Sequence, residues 1–123
     1  MVHGAVVPDH VLVHPGEHGL VLVDWCYATV AGEPVPALVD RYLDWYPAEA
    51  ITGAGPGTDI AMAAQCMDYL MADRIPAPLR AFVDGCRLPR PRQRPDDAWR
   101  LLAELDEVLG RLYGPRTFRP FRL

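Results

Sequence analysis

The sequence of 123 residues contains no lysine, no serine and no asparagine, so all 12 of its basic residues are arginines. The absence of lysine excludes a phosphate-binding loop of the Gly-Lys-Ser/Thr type and catalysis through a lysine Schiff base. The absence of serine excludes a serine-hydrolase nucleophile, and the absence of asparagine excludes an N-glycosylation site. Several large classes of enzyme are therefore excluded by composition alone.

Long apolar runs are also lacking. No run reaches the roughly 18 residues of a membrane span, and the N-terminus has no signal-peptide pattern. The three cysteines form no Cys-x-x-Cys pair, and an odd number is more typical of a reducing compartment than of a disulfide framework. We therefore expect a cytoplasmic protein with no membrane partner, in which Cys26, Cys66 and Cys86 are small buried apolar residues.

Positive charge is in deficit, because 12 Lys+Arg against 16 Asp+Glu give a net charge of −4. This balance argues against general affinity for nucleic acid, and we expect no nucleic-acid partner. Arginines nevertheless cluster between Arg87 and Arg94, where prolines interrupt the chain and no aromatic residue is interleaved. We interpret this segment as a solvated connector.

The residues that are present predict a mainly helical α+β domain. Residues 10–14 and 19–25 are β-branched runs on either side of a Pro-Gly turn, which predicts a β-hairpin. A loop rich in proline and glycine follows, with one helical insert at 37–46. Helical patterns then cover an apolar segment at 60–71 that we expect to be buried, the segment from Pro76 to Cys86, and an amphipathic segment at 97–113. A hairpin followed by helices is the order of an α+β fold with helices on one side.

Three histidines, His10, His14 and His18, recur at intervals of four residues. On a helix this spacing would align metal ligands, but in a hairpin the third histidine falls in or after the turn. We therefore expect surface or turn histidines rather than a zinc site completed by Asp24 or Cys26.

Five segments in chain order carry a family resemblance: VHGAVVPDHVLV, GLVLVDWC, WYPAEA, GTDIAMAAQCMDYLMAD and CRLPRPRQRPDDAWRLLAEL. They resemble the catalytic loop, the strand that ends in Asp-Phe-Gly, the Ala-Pro-Glu segment, the buried central helix and the Arg-Pro segment of the protein-kinase C-terminal lobe. The resemblance divides a single expected domain, 1–123, into a catalytic-loop-like segment with the hairpin at 1–28, an activation-segment-like loop at 29–57, helices at 58–113 and a tail at 114–123.

The resemblance implies that the chemistry of the family is missing. Asp24 matches the metal-binding aspartate, whereas Ala5, Val7 and His10 stand where kinases have the catalytic Asp, the phosphate-binding Lys and a metal-binding Asn. A methyl group accepts no proton, and valine neutralises no phosphate. The glycine-rich loop and the nucleotide-binding lysine of the family are also absent from these residues, so we expect no catalysis and no cofactor.

The resemblance also implies structural roles for four retained residues. The family's equivalents of Glu49 and Arg94 form an ion pair between the activation segment and the last helices. The equivalent of Asp59 accepts hydrogen bonds from the catalytic-loop backbone, here near His3 and Gly4. A chain without catalysis could keep these contacts, because breaking a buried ion pair from one side costs about 3–5 kcal/mol.

These considerations predict a catalytically inactive, pseudokinase-like C-lobe that acts as a protein-binding or regulatory module. Its expected interface is the surface that an N-lobe covers in complete kinases, with Val6, Val7, Val11, Val13 and Trp25 as contact residues. The expected partner is another protein, an upstream domain or a second copy of the chain. Two alternatives remain: an ATP- and metal-binding enzyme that uses Asp24 with His10 and needs an N-lobe from elsewhere, and an unrelated small α+β interaction protein.

Overall fold

The computed structural model describes residues 1–117 and has an α+β architecture, as the sequence predicted. Two strands precede three α-helices: β1 (Val11–Val13), β2 (Leu20–Leu22), α1 (Pro56–Met71), α2 (Ala77–Cys86) and α3 (Ala98–Tyr113). Short 3-10 helices lie at Pro8–His10, Trp25–Tyr27, Asp40–Trp45, Ala48–Ile51, Ala72–Arg74 and Pro91–Gln93. Of the predicted tail, residues 118–123 lie outside the described part of the chain.

The predicted hairpin is confirmed, with antiparallel pairs Val11–Leu22, Leu12–Val21 and Val13–Leu20. Its strands are shorter than the apolar runs that predicted them. His10 belongs to a 3-10 turn instead of β1, and beyond β2 the chain reaches Asp24 in the left-handed conformation with φ 61°. Extended backbone cannot continue through either position, so each strand has three residues.

The helices agree closely with the sequence pattern but differ at their starts. Helix α1 begins at Pro56, because proline suits a first helical turn and the Thr58 hydroxyl accepts a hydrogen bond from the Gly55 N–H at 3.0 Å. Helix α3 begins after Asp97, whose carboxylate accepts hydrogen bonds from the Trp99 and Arg100 N–H groups and so caps the helix. The expected insert at 37–46 is a 3-10 helix broken at Tyr42 rather than an α-helix.

The core forms around α1, which confirms the expectation that this helix is buried. Six of its residues are buried: Thr58, Ile60, Ala61, Met62, Ala64 and Cys66. One side of α1 packs with the N-terminal segment through Met62 and Val7, and another packs with α2 through Ile60 and Val83. Helix α3 is attached more loosely, because none of its residues is fully buried and Leu101 is its contact with the core cluster of α1 and α2.

The three cysteines lie in different environments. Cys66 and Cys86 are buried, as expected, and burial raises the pKa of the Cys66 thiol to about 11. Cys26 is exposed, so the expectation of three buried cysteines was wrong. The difference arises because Cys26 lies in a short 3-10 turn beyond the hairpin instead of on a core helix.

No helix within residues 1–117 combines the length and the apolar character that crossing a membrane requires.

Candidate functional site

Asp59 joins the N-terminal segment to the first turn of α1. Its two carboxylate oxygens accept hydrogen bonds from the backbone N–H groups of His3 at 2.7 Å and Gly4 at 2.9 Å. Burial raises the pKa of the Asp59 carboxyl, and the hydrogen bonds from Gly4 and His3 act in the opposite direction. The contacts expected of His3 and Asp59 from the resemblance are therefore present in the fold.

Gly4 is required where Asp59 holds the chain. Its φ is 76°, and a Cβ atom there would lie 2.7 Å from the Tyr27 carbonyl oxygen and 2.7 Å from the Val35 side chain. A larger residue would be strained and would also clash with the neighbouring backbone. The two hydrogen bonds to Asp59 thus fix a conformation that glycine adopts without cost.

Glu49 and Arg94 form a second buried contact. Arg94 Nη2 lies 2.6 Å from Glu49 Oε1, and the Arg94 side chain is only 1% exposed. Arg94 Nη1 also donates a hydrogen bond to the Gly57 carbonyl oxygen at 3.2 Å. One guanidinium thereby links the Ala48–Ile51 turn, the start of α1 and the segment before α3. The two residues that the resemblance pairs are brought together.

The sequence predicted a solvated connector in the arginine-rich segment between Arg87 and Arg94, and the structure corrects this prediction. Arg94 is buried, and Arg87 forms an ion pair with Asp68 on α1. Two arginines of this segment thus contact carboxylates elsewhere in the fold. The basic cluster therefore presents less free positive charge than its sequence suggests.

Ala5, Val7 and His10, which the resemblance aligns with three catalytic positions of kinases, are buried. Ala5 and Val7 have no exposed surface, and His10 is 6% exposed. Val6 and Val7 pack with Tyr42 and Met62 in one core cluster. The assignment of Val6 and Val7 to an interface was therefore wrong: the backbone before the Pro8–His10 turn directs both side chains into the core.

His10 and Asp24 lie side by side, which corrects the expectation of a surface histidine. His10 Nδ1 donates to the Ala5 carbonyl oxygen at 2.9 Å, and His10 Nε2 lies 3.2 Å from Asp24 Oδ2. A carbonyl oxygen only accepts, so Nδ1 carries a proton, and the contact with Asp24 becomes a charge-assisted hydrogen bond when Nε2 carries one as well. The Tyr27 ring stacks on His10 with the centroids 5.4 Å apart.

The remaining histidines of the spaced triplet are in the hairpin turn. His14 Nδ1 accepts a hydrogen bond from the Glu17 N–H at 3.0 Å, and His18 has a positive φ of 56°. Within residues 1–117 no three His, Cys, Asp or Glu side chains are grouped so that they could hold a metal ion. His10 and Asp24 are thus two potential metal ligands, and no third ligand joins them within residues 1–117.

The hairpin carries an exposed apolar surface. Its exposed side chains are Leu12 (55%), Val13 (48%), Leu20 (65%) and Val21 (58%), and Trp25 (54%) follows β2. Cross-strand pairing puts Leu12 with Val21 and Val13 with Leu20, and neighbouring residues of a strand point to opposite faces. Both faces are therefore apolar. We refer to these five residues as the hairpin surface.

Two of the predicted interface residues, Val13 and Trp25, belong to the hairpin surface, whereas Val11 is half-buried. Sequence reasoning missed Leu12, Leu20 and Val21. The available signal was that apolar residues occupy successive positions of each strand instead of alternate ones, which puts apolar side chains on both faces. Trp25 is held by a hydrogen bond from its indole N–H to the Leu22 carbonyl oxygen and by an edge contact with the His3 ring.

Comparison of the chain with protein-family models, with curated proteins and with solved structures finds no match.

Proposed function

We propose that this chain is a catalytically inactive, protein-kinase-like C-lobe that acts as a protein-binding or regulatory module through its hairpin surface. The observation that carries the proposal is a contrast between two sets of residues. The residues that would brace such a lobe are in contact, whereas the positions that would perform phosphoryl transfer hold side chains that cannot do so.

The bracing contacts are Glu49 with Arg94 and Asp59 with the backbone of His3 and Gly4. They connect residues 45 and 55 to 56 positions apart in the sequence, and both involve the start of α1 or the turn before it. Five sequence landmarks in kinase order support a common origin more strongly when they are joined by a long-range ion pair and two long-range hydrogen bonds.

Catalysis is disfavoured because the side chains at the catalytic positions lack the required functional groups and are not accessible to a substrate. Ala5 and Val7 are aliphatic and have no exposed surface, so neither can accept a proton or contact a phosphate. Removing a general base alone typically lowers a rate by about 10² to 10⁴. A module of this kind therefore acts through binding.

The hairpin surface supplies the binding face. Contiguous exposed apolar side chains at this density are typical of protein-interaction sites rather than of a surface that stays in water. Two strands of three residues with apolar side chains on both faces gain little stability by themselves. A protein partner or a second copy of the chain that covers them would remove this apolar area from water.

One contact favours a second candidate, residual binding of a nucleotide with its metal. His10 and Asp24 are close enough for both to contact one cation. They do not fit a magnesium site, however, because Mg²⁺ prefers about six oxygen ligands and a histidine nitrogen is a poor substitute. Calorimetry with ATP and Mn²⁺ tests this candidate: saturable heat that disappears in Asp24→Asn would favour it over a pure binding module.

The main proposal is tested on the hairpin surface itself. We expect the chain to self-associate or to bind an apolar dye, and the double variant Leu20→Ser, Val21→Thr to lose that behaviour while remaining folded. Ile51→Ser is the matched control, because Ile51 is 61% exposed but lies outside the hairpin. A clean monomer by light scattering without dye binding would contradict the proposal.

The kinase-like part of the proposal can fail separately. It depends on the ionic contacts, so the arrangement of Glu49, Arg94 and Asp59 in an experimental structure decides it. If these side chains lie far apart while the hairpin surface still binds a partner, the chain is an unrelated small α+β interaction protein.

A further inference from the structure

Two cavities meet beside α1 and share the side chains of Trp45 and Gln65. The larger, of about 670 Å³, extends towards Tyr69 and Asp73. The smaller, of about 310 Å³, extends towards Asp44 and reaches Arg94. Together they form a continuous depression that we call the Trp45 groove, defined by Asp44, Trp45, Gln65, Tyr69 and Asp73.

The floor of the Trp45 groove is aromatic and held in place. The half-buried Trp45 ring contacts the buried Tyr42 ring, with the centroids 4.7 Å apart, and the Tyr69 ring, with the centroids 5.5 Å apart. Tyr69 is 56% exposed. Exposed aromatic faces on a fixed support bind planar cations, of which the arginine guanidinium is the commonest in proteins.

The free charge of the groove is negative. Arg94 is paired with Glu49, and Arg80 and Arg87 share the single carboxylate of Asp68, so these groups together leave one positive charge. Asp44 and Asp73 are exposed, and neither carboxylate has an ion pair or side-chain hydrogen bond with any of residues 1–117. These two carboxylates outweigh the remaining positive charge, so the groove has one negative charge in excess.

A buried group at the smaller cavity also lacks a partner. Arg94 lines this cavity, and its Nε has no hydrogen-bond acceptor among residues 1–117, although the side chain is only 1% exposed. An unpaired buried donor costs free energy until it finds an acceptor.

We propose that the Trp45 groove binds an extended, arginine-bearing peptide segment of another protein. A guanidinium stacks on Trp45 and Tyr69, and the carboxylates of Asp44 and Asp73 attract the positive charge of the segment. The site is separate from the hairpin surface and does not depend on the resemblance to kinases. An acidic segment would be repelled by the same carboxylates.

Fluorescence anisotropy with a labelled peptide, Gly-Pro-Arg-Pro-Pro-Arg-Gly, tests this site. The matched probe has citrulline in place of both arginines, which keeps the shape and removes the charge. We expect saturable binding of the arginine peptide and affinity weaker by about tenfold or more for the citrulline peptide. Equal binding of the two peptides, or no saturable binding of either, would overturn the proposal.

Variants locate the binding on the protein. Tyr69→Ala and the double variant Asp44→Asn, Asp73→Asn alter exposed side chains, so the chain should still fold, and each should weaken binding about tenfold. Glu33→Gln removes an exposed carboxylate outside the groove and should leave the affinity unchanged. If Glu33→Gln weakens binding as much as the groove variants do, attraction is general and the groove is not the site.

Discussion

Two regions of the molecule differ in backbone regularity and in side-chain burial: the ionic framework of Glu49, Arg94 and Asp59, and the hairpin surface. The framework lies where the backbone is irregular: Glu49 is in a 3-10 turn, Arg94 is between helices, and Asp59 binds the segment before the hairpin. Its charged side chains are largely buried and contact a partner, the Glu49–Arg94 ion pair or the backbone N–H groups that Asp59 binds. The hairpin has a regular backbone ladder, yet its apolar side chains are largely exposed.

This difference shows which interactions hold the fold. The short ladder of the hairpin pairs the backbone groups that face each other across the two strands, so these groups need no side-chain partners, although the hairpin gains little stability by itself. An irregular segment has no such ladder, and its backbone groups need side-chain partners such as Asp59 or Arg94 when they are buried. We infer that the framework stabilises the fold and that the hairpin is available for binding.

The largest expected effect comes from removing one member of the framework. Arg94→Ala leaves Glu49 buried without its cation, which should cost about 3–5 kcal/mol in the free energy of unfolding. Urea denaturation measures this loss. The double variant Glu49→Leu, Arg94→Met removes both charges and should lose less than Arg94→Ala. A loss below about 1 kcal/mol in the single variant would mean that the framework does not brace the fold.

A smaller, pH-dependent effect is expected at Asp68, where α1 meets α2. Hydrogen bonding and charge from Arg80 and Arg87 hold the pKa of the Asp68 carboxyl below its usual range. The stabilisation is therefore present above the usual Asp pKa of about 3.9 and is lost as pH falls through the lowered value. Asp68→Asn should cost about 1 kcal/mol at pH 7.

The measurement is the free energy of unfolding of the wild type and Asp68→Asn between about pH 7 and pH 2. The difference between the two proteins should shrink as the pH falls. The pKa of the Asp59 carboxyl is shifted in the opposite direction, because burial raises it and makes the ionised form the costly one. A difference between the wild type and Asp68→Asn that stays constant with pH would contradict the assignment.

The smallest effect on stability is expected in the hairpin. Leu20→Ser should change the free energy of unfolding by less than about 0.5 kcal/mol, because Leu20 is 65% exposed and loses little contact. Met62→Ala is the internal contrast, since Met62 is fully buried and its truncation should cost about 2–5 kcal/mol. Similar losses in both variants would remove the distinction between core and hairpin.

Much of the fold could be predicted because its signals are local. The β-branched runs predicted the hairpin, and the prolines at 76 and 78 predicted the start of α2. The predictions were wrong where tertiary packing determines whether a side chain is buried. Val6 and Val7 are as apolar as Val13, and no local pattern separates side chains that meet Met62 from a side chain that meets water.

The candidate site was predicted less completely than the fold. His3, Glu49, Asp59 and Arg94 were found through a family resemblance and are in contact as that resemblance implies. The adjacency of His10 and Asp24 follows from the hairpin register, because the Val23 N–H donates to the His10 carbonyl oxygen at 2.9 Å and Asp24 is the next residue. The Trp45 groove was not foreseen, because its residues are near one another only when the Asp40–Trp45 turn lies against α1.

The sequence by itself determined which chemistry is absent and which elements form. Without lysine, serine and asparagine no conformation of the chain can supply a lysine ammonium group, a serine nucleophile or an N-glycosylation site, and strand and helix patterns act over a few residues. The tertiary structure alone decided which valines are core, which carboxylates are paired and which aromatic rings face solvent. Burial and pairing depend on contacts between residues distant in the sequence, such as His3 with Asp59, and local sequence does not encode those distances.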